Sequence, residues 1–119
     1  MARKTIVFDF DGVIHSYKSK WISEEIIPDE PVSGIVDSLK SFCEAHYYIV
    51  VCSARAKSEA GVNAIWNYLE KHGMKEYVKE VTHQKPPAIV YIDDRAITFD
   101  GHPETLLSKV ENFKPWNKL

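Results

Sequence analysis

The sequence predicts an α/β layered fold with a mainly parallel sheet, on three observations. Compact apolar runs alternate with segments of helical periodicity along the chain. The strongest of these runs each end in polar residues: DFD at Asp9 to Asp11, SAR at Ser53 to Arg55 and DDR at Asp93 to Arg95. The chain has 119 residues, 45% of them hydrophobic, which is enough for one ordinary domain with its own core. No internal repeat, low-complexity tract or linker divides it, so residues 1–119 are read as a single domain. Strands alternating with helices are the mark of βαβ units.

Residues 5–10 (TIVFDF) concentrate β-branched and aromatic side chains, which predicts a strand buried on both faces. Residues 12–31 lack clear periodicity and carry Gly, Ser, Lys and two prolines. Over residues 32–46, Ile35, Val36, Leu39, Phe42 and Cys43 fall at helical spacing, with Ser33 as the N-cap. Residues 47–52 (YYIVVC) form a second buried strand. A second helix is expected over 58–72, with Val62, Ile65, Trp66 and Leu69 on one stripe and Gly73 closing it. A short strand is expected over 77–82. Residues 88–92 (AIVYI) form a third strong strand ending at Asp93 and Asp94. A short extended piece at 97–99 precedes a helix from Pro103 to about Phe113.

Composition narrows the function. A net charge of −2 gives no global basic footprint, which counts against strong non-specific nucleic-acid binding. Cys43 and Cys52 fit neither a C-x-x-C nor a zinc spacing and read as buried thiols in a reducing compartment. The start, MARKTIVFDF, turns acidic too soon for a signal peptide or a membrane span. A cytoplasmic protein without a membrane partner is expected.

In open parallel sheets, ligands bind beyond the carboxyl ends of the strands, where the strand order reverses. The polar strand ends would therefore converge on one crevice. Asp9 and Asp11 are two apart, so on an extended backbone they point the same way. With Asp93 and Asp94 they would raise one another's pKa unless a cation neutralised them. Mg²⁺ suits such hard oxygen ligands. Acids after strands also serve as caps and turns, but DxDG together with a distant Asp-Asp favours the metal. Ser53, near a helix N-terminus, suits a phosphate oxygen or a helix cap. Arg55 adds a bidentate clamp. Lys85 reads either as a surface charge or as a cation balancing the acids.

Taken together, VFDFDGV, VVCSAR, QKPPA and YIDDRA resemble, in that order, motifs I to IV of the haloacid dehalogenase superfamily of phosphotransferases. The resemblance runs from about Thr5 to Arg95. FDGVIHSY and KPPA-x-x-x-IDDRA are similar to stretches of small phage and bacterial phosphatases of that superfamily. The S-x-R and DDR elements also resemble the phosphatase half of polynucleotide kinase-phosphatases.

The resemblance implies a Rossmann-like three-layer sandwich with a flap hairpin and no cap domain, hence an open site. It implies a Mg²⁺-dependent phosphomonoester hydrolase in which Asp9 is the nucleophile, forming an aspartyl-phosphate. Asp11 would be the general acid and base, its backbone carbonyl also on the metal beside Asp9, Asp93 and Asp94. Ser53, Arg55 and Lys85 would hold the phosphoryl group. Lys85 stands only eight residues before Asp93, which makes Lys79 the reserve lysine. An open site implies a nucleotide, a polynucleotide end or a phosphoprotein as substrate. A small metabolite would need a homo-oligomer to supply the lid.

The flap, HSYKSKWISEEII, combines His15, Tyr17, Lys18, Lys20 and Trp21. His15, Tyr17 and Trp21 are candidate substrate contacts, able to stack on a base, unless the aromatics only pack the flap down. His46, His72 and His102 read as structural, and Trp66 as core. Trp116 is expected against the sheet edge or another subunit. The competing readings are a receiver-like phospho-acceptor module and a degenerate, non-enzymatic phosphate- and Mg²⁺-binding fold.

Overall fold

The computed structural model describes residues 3–118. Four strands form one sheet: β1 (Thr5–Asp9), β2 (Tyr48–Cys52), β3 (Glu80–Thr82) and β4 (Val90–Ile92). Their order is β3-β2-β1-β4, and every neighbouring pair is parallel. The α/β architecture read from the alternating pattern is therefore present. The two inner strands, β1 and β2, are the runs with the least polar character, as burial on both faces requires.

Two long helices, α1 (Ile35–Glu44) and α2 (Glu59–Lys71), cover one face of the sheet. Ile6 and Phe8 of β1 stand in register with Ile49 and Val51 of β2 on that face. Leu39 of α1, together with Ile65 and Leu69 of α2, closes over them. Phe8 meets Phe42 of α1 edge-on at 5.6 Å between ring centres, and Phe10 meets Tyr68 of α2 at 5.3 Å. Each aliphatic or aromatic side chain buried in this way contributes about 1.5–3 kcal/mol. On the opposite face Val7 and Val50 are also buried. There the β3–β4 connection, residues 83–89, runs without a helix. The Tyr91 hydroxyl donates to the Pro86 carbonyl at 2.6 Å, and Lys85 Nζ lies 4.9 Å from the Tyr91 ring centre.

Both long helices end in the same way. At the end of α2 the Met74 N–H reaches the Leu69 carbonyl at 2.7 Å and the Gly73 N–H reaches Glu70, with Gly73 left-handed at φ 77°. At the end of α1, Tyr47 N–H bonds Phe42 and His46 N–H bonds Cys43, but the left-handed position is His46, φ 69°. A side chain there is strained where glycine is not. His46→Gly is expected to stabilise the protein by about 0.5–1 kcal/mol, seen as a higher urea midpoint at unchanged slope.

Several boundaries differ from the sequence expectation. Ser33 does not cap α1, because the chain enters the helix through Gly34 in a left-handed conformation, with no side-chain cap bond. Residues 75–77 are a 3₁₀ turn, which shortens the third strand, and 97–99 join no strand. The expected C-terminal helix divides into a 3₁₀ turn at Pro103–Thr105 and a short α3, Leu106–Glu111. Leu107 and Val110 of α3 stay exposed, so little apolar burial drives it further. Cys43 and Cys52 are free thiols but only half-buried. Among the described residues, no helix is long and apolar enough to cross a membrane.

Residues 15–31 fold back on themselves as the expected flap. Antiparallel bridges link His15 with Pro31 and Ser23 with Ile26. Ser19 donates to both oxygens of Asp29, from its backbone at 2.7 Å and its hydroxyl at 2.6 Å, and Lys18 pairs with Glu30.

Candidate active site

The chain runs from β1 outward through β2 to β3, then returns to the other side of β1 as β4. Strand order thus reverses between β1 and β4, where a parallel sheet opens a crevice at its carboxyl edge. Asp9 is the last residue of β1, and Phe8 pairs with Ile92, so Asp93 and Asp94 leave β4 beside it. One carboxylate oxygen from each of Asp9, Asp93 and Asp94 lies within 4.8 Å of the others. Burial is the main reason the Asp9 pKa rises to about 8; a hydrogen bond with Asp94 and the charges of Asp93 and Asp94 add to it. Three hard oxygen donors this close could hold a metal ion.

Gly12 presses on this cluster. Its φ is 87°, and a Cβ there would stand 2.2 Å from Asp94 Oδ2. Gly12→Ala is expected to displace Asp94, so that a metal ion held by the triad would bind about 10–100-fold more weakly in a calorimetric titration. The Asp9 shift also sets a pH dependence. In the metal-free protein the native state keeps a proton that the unfolded chain releases near pH 3.8, so stability falls as pH rises from there through about 8. Metal-free protein is therefore expected to melt lower above a pH of about 8 than well below it, and a metal ion bound by the triad would flatten the difference. Melting curves with and without a chelator measure it.

Asp11 is held apart from this triad. Arg55 Nε donates to both of its oxygens, at 2.9 and 3.2 Å, and His15 Nδ1 lies 2.8 Å from Oδ1. The Asp29 N–H donates to His15 Nε2 at 3.1 Å, which makes that nitrogen an acceptor. With Nε2 accepting, Nδ1 is the nitrogen that donates to Asp11 Oδ1. Arg55 is fully buried, and its Nη1 donates to the carbonyls of Ser23, Glu24 and Ile26. Its Nη2 is buried without a partner.

Four sequence assignments change accordingly. Arg55 cannot clamp a phosphate from this position; it pins the flap to Asp11. His15 is fully buried behind Asp11, not facing substrate. Trp21 stacks on Arg55, with the guanidinium carbon 4.6 Å from its ring centre, outside the crevice. The side chain of Asp11 is likewise outside the metal triad. The His15 and Trp21 readings failed for one reason: the flap has no periodicity, and its packing is set by a buried arginine 24 or more positions away in the chain, whereas Tyr17 does line the crevice beside Asp9.

Ser53 and Lys85 do come together with Asp9. Asp9, Cys52, Ser53, Ala54, Lys85 and Asp93 line one cavity at the strand ends. Ser53 also caps the 3₁₀ turn Ala54–Lys57, its Oγ accepting from Arg55 N–H at 3.1 Å. Its hydroxyl proton is left for the cavity. Lys79 stands at the other end of the sheet, just before β3, with Nζ near the Glu76 carbonyl. Burial, and then the Asp9 charge, push the Cys52 thiol pKa up, so it stays protonated.

On its other side Asp9 lines a second cavity with Asp11, Tyr17, Lys20, Asp94, Arg95, Pro115 and Asn117. The site is thus less open than expected. The flap supplies Tyr17 and Lys20, and the C-terminal tail supplies Pro115 and Asn117. The tail is anchored by the Trp116 indole N–H, which donates to the Gly12 carbonyl at 2.8 Å. The sequence reading missed Pro115 and Asn117. Nothing local marks them, because the contact joins residues 104 positions apart. Arg95 carried a signal, its place directly after the acidic pair.

No protein-family model matches the chain, and no curated protein matches it. A solved structure of a conserved protein from Bacteroides thetaiotaomicron is similar, with a TM-score of 0.60 and 20% identity over 92% of this chain and 91% of that one. The likeness shows the fold.

Proposed function

We propose that the protein is a Mg²⁺-dependent phosphomonoester hydrolase that works through an aspartyl-phosphate on Asp9. The observation that carries the reading is the position of Asp9. It belongs to the carboxylate triad and also lines the cavity that holds Ser53 and Lys85. One carboxylate thus faces both a cation site and a pair of phosphate donors. The motif resemblance points the same way.

A magnesium ion held by Asp9, Asp93 and Asp94 would neutralise charge on the transferring phosphoryl group. An Asp9 oxygen attacks phosphorus as the bond to the leaving oxygen breaks. Ser53 donates its hydroxyl proton, and Lys85 its ammonium, to the phosphoryl oxygens. Asp11 gives the leaving oxygen a proton, then takes one from the water that hydrolyses the aspartyl-phosphate. Arg55 and His15 orient Asp11 through these steps. A nucleotide, a polynucleotide end or another accessible phosphate is the substrate class.

Hydrolysis of a generic aryl phosphate tests this. Turnover should require Mg²⁺ and stop with a chelator. Silence across a broad phosphomonoester panel would sink the reading, and stable phosphorylation of Asp9 without turnover would favour a receiver-like module.

A further inference from the structure

We propose that the cleft between residues 95–97 and α3 binds the leaving group of the substrate, and that it takes a flat aromatic moiety of about nucleobase size. That the bound moiety is a leaving group rests on the phosphatase reading; its binding does not.

The crevice beside Asp9 and Asp11 has a volume of about 170 Å³ and is walled largely by acids and cations. That suits a phosphoryl group and little more. Arg95 and Pro115 line this crevice and also a second cavity, of about 380 Å³. The second cavity is completed by Ala96, Ile97, Val110 and Phe113, so Arg95 is its one charged residue. Its size falls within the range of small-molecule sites, roughly 300–1,000 Å³, and its lining is apolar as theirs is. A polar chamber for the phosphate thus adjoins an apolar one.

Arg95 decides what kind of apolar group fits. It is exposed, and it has no carboxylate partner among the described residues. A guanidinium at the junction of the two chambers can lie on an aromatic face while its edge meets phosphate oxygens. Phe113 offers a second ring. Val110 is 60% exposed, so an apolar side chain faces water until something covers it. The Trp116 anchor on Gly12 holds Pro115 between the chambers, which ties the cleft to the nucleophile loop. A phosphorylated protein side chain would fill the crevice and leave the cleft empty.

The test uses the Asp9→Asn protein in magnesium, with 1-naphthyl phosphate and glycerol phosphate as probes. Naphthyl phosphate should bind at least about tenfold more tightly. Val110→Glu in that background should weaken naphthyl phosphate about tenfold or more and leave glycerol phosphate within about twofold. Leu107→Glu, on the same helix but outside the cleft, controls for folding and should change neither. Equal binding of the two esters, no binding of naphthyl phosphate, or equal losses from Val110→Glu and Leu107→Glu would each overturn the proposal. Turnover by protein with Asp9 intact separates the two readings. Selective, Val110-dependent binding without hydrolysis keeps the cleft and sinks the phosphatase. Hydrolysis of both esters with the same kcat/KM keeps the phosphatase and sinks the cleft.

Discussion

Asp9→Asn is expected to lower turnover of any phosphomonoester at least about 10⁴-fold, in line with deletion of a nucleophile from other covalent catalysts. The side chain keeps its shape, but the amide has no anionic oxygen to attack phosphorus. Asp11→Asn should lose less, about 10²–10⁴-fold, because the nucleophile stays and the reaction loses its proton transfer. Its loss in kcat/KM should grow with the basicity of the leaving group, whereas kcat should stay low even for a good aryl leaving group, because water still lacks its base for hydrolysis of the aspartyl-phosphate. The same Asp9→Asn change is expected to raise the melting temperature of the metal-free protein. Burial first, and then the company of Asp94 and Asp93, pushes the Asp9 pKa to about 8, so its charged form destabilises the fold at high pH. An amide there relieves the repulsion. A site that is less stable than its own inactive variant is built for a ligand. Steady-state kinetics and melting curves on one preparation read both effects, and an Asp9→Asn protein that keeps its turnover removes Asp9 as nucleophile.

How much of this was visible in the sequence depended on the range of the interaction. β1, β2 and α2 each carry their own pattern, and they stand where that pattern put them. The acidic cluster was visible because strand geometry aims Asp9 outward and places a second acidic strand end at the same edge. Ser33 misled because a hydroxyl before a helix is the usual cap, while here a left-handed Gly34 makes the turn. Arg55 misled for a deeper reason. Its motif says phosphate, but a guanidinium can reach backbone carbonyls as well as anions, and the flap brings it three. Which partner it takes depends on a loop without periodicity. Trp116 was equally hidden, since a tail residue 104 positions from Gly12 has no local pattern to betray the contact.

Arg55→Met is the other large effect, and it falls on stability. The substitution keeps much of the volume but leaves the Asp11 carboxylate with His15 alone and strips the carbonyls of Ser23, Glu24 and Ile26 of their shared donor. Breaking a buried ion pair from one side costs about 3–5 kcal/mol. The low end is expected here, because Asp11 keeps 19% of its side chain in water while Arg55 is fully buried. Trp21 also loses the guanidinium it stacks on. The flap should therefore loosen first, seen as proteolysis or fast hydrogen exchange between residues 17 and 27, with global unfolding at lower urea. Arg55→Lys should recover little, since an ammonium cannot reach Asp11 and three carbonyls in one plane as a fork does. The decisive comparison is Arg55→Met together with Asp11→Asn. If the ion pair is the main term, the double variant should be more stable than the two single costs summed, by about 1–3 kcal/mol of coupling. If the two costs simply add, Arg55 acts through the flap carbonyls, and Asp11 is positioned by His15 instead.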